Sequence, residues 1–274
     1  MSLKDIKSLL EKYRSYFFSR CEHYSESNEC KREGGCACRS LAEMWAYTDF
    51  IIPKEFSRLS LKDFTGKIDE ERVISEDRVR NAKQKISEFC FGKDFDLQML
   101  LTDNMSRIDM DKLSVMDARH SNGTNLVIHG QQVFVNSSGQ TVILPKGKTL
   151  LASIVMIEAI RRKLFTSNNA NTFFFENFTL LKQSLKSKDS YAEILKESDW
   201  LVVDDININP HVTGSKITQF IVEILDEFFM YRITNNLPTI LVFAFDIDNC
   251  NLQNELGYAI SKIVSSAGSF VIKV

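Results

Sequence analysis

The chain has 274 residues, with 34 Lys and Arg against 36 Asp and Glu and a formal net charge of −2. That length suits one full α/β domain with a small accessory module, and the near-neutral balance excludes a protein that coats nucleic acid with its whole surface, while leaving room for a local basic face. No apolar run reaches the roughly 18–20 residues of a membrane span, and the N-terminus alternates charged residues with Leu and Ile instead of carrying a signal peptide's apolar core, so a cytoplasmic protein without membrane contact is expected.

Ile6, Leu9, Leu10, Tyr13, Tyr16 and Phe17 recur at helical spacing and predict an amphipathic helix over 3–20. A Cys-rich stretch follows, in which Cys21, His23, Cys30, Cys36 and Cys38 fall within eighteen residues. Zn²⁺ takes four such ligands in a tetrahedron, and Gly34-Gly35 permits a tight turn before Cys36. In a cytoplasmic protein these cysteines read as thiols or ligands rather than disulfides. The spacing is not two Cys-x-x-Cys pairs, so three readings stay open: structural Zn²⁺ on Cys21, Cys30, Cys36 and Cys38, free thiols, or an iron–sulfur cluster. Cys90 and Cys250 stand alone and read as ordinary packed or surface residues. A second helix is expected at 40–47, and Pro53 interrupts any helix beyond it. Residues 67–90 are charged and helix-prone, and 94–120 carry scattered apolar residues without a readable period. The expected organisation is an N-terminal module over 1–66, a helical linker over 67–120 and an α/β domain over 121–274.

From 125 onward apolar strands alternate with helices. Strands are expected at 125–129, 172–175, 200–205, 239–244 and 269–274, and helices at 149–163, 180–185, 192–197, 215–235 and 252–263. Nearly all-apolar strands alternating with helices imply a parallel sheet covered on both faces. Between 132 and 143 two short apolar runs flank Ser137-Ser138-Gly139 and predict a small hairpin.

Gly147-Lys148-Thr149 opens an apolar helix and matches the end of the phosphate-loop pattern G-x-x-x-x-G-K-[ST]. The position five before Gly147 is Val142, and the strand that should enter the loop ends upstream at Gly130. The hairpin at 132–143 therefore interrupts the loop. Either it loops outward and leaves Gly130 to close the turn, or it reshapes the phosphate pocket. In the binding-competent reading, backbone N–H groups and the helix N-terminus hold phosphates, Lys148 reaches the β- and γ-phosphates, and Thr149 ligates Mg²⁺. Downstream, Trp200-Leu-Val-Val-Asp204-Asp205 fits a buried strand whose tip emerges at the ligand edge of the sheet. Asp204 would hold Mg²⁺, and Asp205 would polarise the attacking water. The alternative is that the two carboxylates cap a strand and begin a turn.

These segments resemble the DnaC/IstB-like AAA+ ATPases, the family of replicative helicase loaders. The likeness runs through Ile51-Ile-Pro-Lys-Glu-Phe and Leu61-Lys-Asp-Phe64, Asn125-Leu-Val-Ile-His-Gly130, Gly147-Lys-Thr-Leu-Leu-Ala-Ser153, Phe173-Phe-Phe-Glu-Asn-Phe178, Leu201-Val-Val-Asp-Asp-Ile206, Tyr231-Arg-Ile-Thr-Asn-Asn-Leu-Pro-Thr-Ile240 and Leu256-Gly257. The resemblance implies an AAA+ P-loop parallel sheet with flanking helices, no helical lid, and a small Cys-rich helical module in front. It also implies ATP and Mg²⁺ as ligands, and a replicative helicase, single-stranded DNA and a homo-oligomer as partners. Three departures from the family pattern imply slow hydrolysis or none. The loop is interrupted. Val242-Phe243-Ala244 stands where the family has a γ-phosphate-sensing Asn, and Tyr258-Ala-Ile-Ser-Lys262 stands where it has an arginine reaching the neighbouring subunit. Lys262 supplies charge without a planar fork. Arg232 matches a family Arg, which either makes such a contact or anchors its helix to the sheet. Lys146, Arg161, Arg162 and Lys163 are candidates for a positive face, or for a solvated helix end. The competing functions are a transposase-assisting ATPase with the same core, and a non-hydrolysing scaffold.

Overall fold

The computed structural model describes residues 3–20, 37–65, 75–93, 114–130, 133–135, 141–143, 147–166, 173–208 and 219–274. Cys21, His23, Cys30 and Cys36 lie outside them, as does the side chain of Cys38.

Helix α1 (Leu3–Phe18) and helix α2 (Ala37–Ile51) pack as a pair. Tyr13, Ala42 and Ala46 are buried between them, with Leu9, Leu10, Phe17 and Trp45 around the rim. Arg58 clamps this pair to the chain that follows. It ion-pairs with Asp49 at 2.8 Å, donates to Thr48 Oγ1 at 2.9 Å and lies over the Trp45 ring at 4.4 Å.

The sheet is formed by β1 (Leu126–His129), β4 (Phe173–Asn177), β5 (Trp200–Ile206), β6 (Thr239–Phe243) and β7 (Phe270–Lys273), in the order β4-β5-β6-β1-β7. Every pairing among them is parallel. All four residues of β1 and all five of β6 are buried, as strands covered on both faces must be. Residues alternate across the sheet. Leu126, Ile128, Val202, Ile240, Val242 and Ile272 share one core with α5 (Lys148–Thr166) and α3 (Glu76–Phe91). Val127, Leu201, Val203, Leu241 and Phe243 share the other with α6 (Phe178–Ser187), α7 (Ser190–Glu197), α8 (Gln219–Thr234) and α10 (Tyr258–Ser265). The expected α/β fold with a parallel sheet and flanking helices is the one observed.

Three local outcomes differ from the sequence pattern. The segment that reads as a connector ends in α3, whose Ala82, Ile86, Phe89, Cys90 and Phe91 form a wall of the first core, together with Ile52, Leu61 and Phe64. Cys90 is thus a packed residue, and burial pushes its thiol well above the ordinary range. Within the unreadable 94–120 stretch lies the start of α4 (Ser114–Ser121), whose Arg119 donates to the Phe89 and Glu88 carbonyls at the end of α3 and lies over the Phe270 ring at 4.3 Å. The single helix expected at 252–263 is two, α9 (Leu252–Leu256) and α10, divided at Gly257. Asp226 of α8 accepts from Ala259 N at 2.8 Å and so caps α10.

Arg232 fixes the second core. Its side chain is fully buried near the end of α8. It donates to Thr239 Oγ1 (2.9 Å), the Leu195 carbonyl (3.0 Å), the Ser198 carbonyl (2.9 Å) and the Pro238 carbonyl (2.7 Å). One guanidinium thus joins the end of α7, the entry to β6 and its own helix. Burial lowers its pKa, and Asp199 opposes the shift. Of the two roles open to Arg232, anchoring is the one this geometry has, since no part of it reaches a surface where a neighbouring subunit could lie. Arg232→Lys keeps the charge but not the fork, leaving carbonyls unpaired. Urea unfolding is expected to show a loss of about 2–4 kcal/mol; a loss under about 1 kcal/mol would mean the network is not what holds these elements.

Candidate nucleotide site

The site lies outside the carboxyl ends of β1 and β5, where ligands of open parallel sheets bind. Strand β1 leaves the sheet at Gly130, whose φ is +139°. A Cβ there would fall 2.1 Å from the Val274 carbonyl oxygen, and its N–H donates to the Phe245 carbonyl at 3.2 Å. The exit from β1 is therefore wedged between β7 and the segment after β6, with room for glycine alone. Gly147, at φ +98°, is constrained from the other side: its Cβ would fall 2.5 Å from Phe64 Cε2. Helix α5 begins at once, with Leu151 N donating to the Gly147 carbonyl at 3.0 Å and no acidic residue in its first turn. Its N-terminal N–H groups and dipole face the site without a competing carboxylate in their own first turn.

Lys148 is buried at 5% exposure, and its ammonium donates to the Gly130 carbonyl. Burial pulls its pKa down to about 8, against the opposing pull of Asp204, Asp205 and Asp246. Thr149 Oγ1 donates to Asp204 Oδ2 at 3.0 Å. Burial raises the Asp204 pKa, and the Thr149 bond lowers it again. A hydroxyl and a carboxylate in hydrogen-bond contact are hard oxygen donors that fit Mg²⁺ beside phosphate. The sequence placed Gly130, Gly147, Lys148, Thr149 and Asp204 in one site, and the structure brings them together.

The acidic pair sits on a bulge. Val203 pairs with Leu241, but the next pairing is Ile206 with Phe243, so β5 advances by one residue more than β6. The extra residue falls at Asp204-Asp205, and Asp205 takes the left-handed φ of +57°. Bulges re-aim side chains next to sites, and this one sends Asp204 to Thr149 while Asp205 stands exposed.

The neighbouring positions carry different chemistry from a γ-phosphate sensor. Ala244 follows β6, and its N–H is taken by the Ile206 carbonyl at 2.9 Å. Asp246 ion-pairs with Lys273 at 2.6 Å and lies 3.2 Å from His129. Lys262 is exposed on α10 beside the Tyr258 ring. The expected hairpin is present: β2 (Val133–Val135) pairs antiparallel with β3 (Thr141–Ile143) in a two-stranded sheet separate from the five strands. Its turn, 136–140, and the approach to Gly147, 144–146, lie outside the described residues. Arg161, a candidate for a positive face, is ion-paired with buried Glu158 on its own helix. Phe64 was quoted only as the end of the Leu61-Lys-Asp-Phe64 segment, without a role at the site, and Lys273 is a lone terminal-strand lysine with no spacing signal.

Left-handed backbone costs a residue with a Cβ about 1–2 kcal/mol. At Asp205, Gly is therefore expected to be more stable than Ala by about 1 kcal/mol in chemical denaturation; equal stability of Asp205→Gly and Asp205→Ala would mean the bulge relaxes in solution.

No protein-family model matches the chain, and no curated protein matches it. Among solved structures it is similar to the DnaC helicase loader, at 16% identity and a TM-score of 0.39 over 61% of this chain and 92% of that one. It is similar to DnaI at 19% identity and a TM-score of 0.42, over 81% of this chain and 91% of that one. A third similar structure is the replication initiator DnaA bound to AMPPCP and single-stranded DNA, at 14% identity and a TM-score of 0.36 over 63% of this chain and 48% of that one. These likenesses are distant. The chain has an α/β fold: a five-stranded parallel sheet in the order β4-β5-β6-β1-β7, helices on both faces, and the Gly147-Lys148-Thr149 turn beside the acidic end of β5.

Proposed function

We propose that this chain binds ATP with Mg²⁺ at the mouth of β1 and β5, turns it over slowly or not at all, and serves in replication as a helicase-loader-like factor. The observation that carries this reading is the buried ammonium of Lys148, held by one backbone carbonyl at the N-terminus of a helix without acidic residues in its first turn. A phosphate would replace the Gly130 carbonyl as its partner and supply the counter-charge that burial has denied it. Thr149 and Asp204 would then hold Mg²⁺, directly or through water. Asp205 is the group to polarise a water, but it is shorter than the usual Glu.

Weak turnover is supported by the same geometry. Ala244 offers no amide to a γ-phosphate, and a carboxylate at Asp246 would repel one. Lys262 is the candidate for a contact across subunits in a homo-oligomer, and it lacks the fork that makes an arginine effective at transition-state charge. These features favour a nucleotide-holding scaffold over a motor. Contacts with a replicative helicase and with single-stranded DNA follow from the family resemblance of the segments quoted above. Zn²⁺ on Cys21, Cys30, Cys36 and Cys38 remains part of the proposal for the N-terminal module, testable by metal analysis of the purified protein.

Mg²⁺-ATP binding, measured by calorimetry, is expected in the unaltered protein and lost in Lys148→Ala; equal affinity in both would sink the binding reading. Turnover is expected to stay near background even with helicase and single-stranded DNA present, and robust hydrolysis would overturn the scaffold reading while leaving binding intact.

The pH dependence has a definite sign. Phosphate favours the charged form of Lys148, whose pKa in the free protein is about 8. Affinity should therefore be full below pH 8 and fall as pH rises through it. In the free protein the shift from 10.5 to about 8 penalises folding with a charged lysine. That penalty is full below pH 8 and fades as pH approaches 10.5, so Lys148→Met should stabilise the nucleotide-free protein at pH 7 by about 1–3 kcal/mol, and less at pH 10. A destabilised Lys148→Met protein at pH 7 would contradict the assigned burial cost.

A further inference from the structure

Close to the Gly147-Lys148-Thr149 turn lies a second cluster, of which the nucleotide reading uses only Asp246. His129 ends β1, Asp246 begins the short turn after β6, Asp248 lies within that turn, and Lys273 ends β7. The register of β1 on β7 sets His129 directly against Lys273. One imidazole nitrogen and two carboxylate oxygens here all lie within 4.8 Å of one another. The Lys273 ammonium bonds both carboxylates, at 2.6 Å to Asp246 and 2.6 Å to Asp248.

We propose that His129, Asp246 and Asp248 form a site for a borderline divalent cation such as Mn²⁺ or Zn²⁺, in competition with the Lys273 ammonium.

Three observations carry it. The first is His129 itself, which is 2% exposed and has its Nδ1 aimed into the cluster. That nitrogen sits 3.2 Å from Asp246 Oδ1 but makes no aligned hydrogen bond. A buried polar atom without an aligned hydrogen bond needs an explanation, and a metal bond supplies one.

The second is charge. Two carboxylates against one ammonium leave an uncompensated negative charge that a divalent ion removes. Lys273 is exposed over 41% of its side chain, so its stem can carry the ammonium into water at little cost.

The third is the donor set, because one imidazole with two carboxylates suits Mn²⁺ or Zn²⁺ better than a soft ion. Three ligands each about 2.1 Å from one metal lie roughly 3–3.6 Å apart, so the widest gap here, at most 4.8 Å, closes by about an ångström when an ion enters. Asp246 is already oriented, since its Oδ1 accepts from Asp248 N at 3.1 Å. The site uses none of Lys148, Thr149 or Asp204, and its test reads metal bound in the absence of nucleotide.

The test uses Mn²⁺ and electron paramagnetic resonance on the full, nucleotide-free chain. Mn²⁺ is a poor match for thiolates, which keeps the Cys-rich segment from confusing the result. Asp248→Asn, a change at an exposed residue, is expected to weaken Mn²⁺ binding by about tenfold or more. Lys273→Gln is expected to tighten it by a similar factor. The lysine variant separates the proposal from a purely structural ion pair, which predicts no gain in metal affinity when Lys273 is removed. Binding seen only in Lys273→Gln supports the site and measures how strongly the ammonium competes. No binding in either protein, or unchanged binding in Asp248→Asn, would overturn it.

Discussion

A lysine ammonium buried at the edge of a parallel sheet, with one backbone carbonyl among the described residues to hold it, is an expensive arrangement. At Lys148 the surroundings are built to tolerate it. Gly130 turns its carbonyl toward the ammonium because it alone fits between the end of β7 and the segment after β6. Helix α5 is placed by an almost unbroken set of apolar contacts, including fully buried Leu151, Val155 and Ile160, so its first turn cannot drift away. Three carboxylates, those of Asp204, Asp205 and Asp246, stabilise the charge from a distance. Remove the rigidity of the sheet or the helix and the lysine would turn to water.

The bulge in β5 is the complementary device. A regular strand would send successive side chains to opposite faces of the sheet. One extra residue breaks that alternation where the strand emerges, and it separates two adjacent carboxylates into one that bonds Thr149 and one that faces solvent. The backbone strain at Asp205 is held in place by Ile206, which is fully buried and pairs with Phe243 immediately afterward. Core packing on one side of the residue thus fixes chemistry on the other.

The strands and helices after 125 were legible because buried strands of Val, Ile, Leu and Phe alternate with helical spacing, and both periods are local properties of the chain. Lys148, Thr149 and Asp204 were legible because their spacing from glycine and from the apolar strand is itself the chemistry. What the sequence hid has non-local causes. The role of α3 as a wall of the core depends on which surface Phe89 and Ile86 meet. The break at Gly257 depends on Asp226, from another helix, reaching Ala259. Arg232 left two roles open because a family match cannot tell a buried arginine from an exposed one; only the carbonyls of Leu195, Ser198 and Pro238 around it decide. The bulge is invisible for the same reason, being a property of two strands in register rather than of one.

The contact of Phe64 with Gly147 joins parts of the chain that composition would separate. Phe64 lies on the turn that follows Leu61, in the same core as Ile52 at the end of α2 and as Leu151 of α5. Its ring fills the space that any side chain at position 147 would need. One aromatic side chain, contributed by a segment far upstream of α5 along the chain, thereby keeps the turn at Gly147 open to glycine and to no other residue.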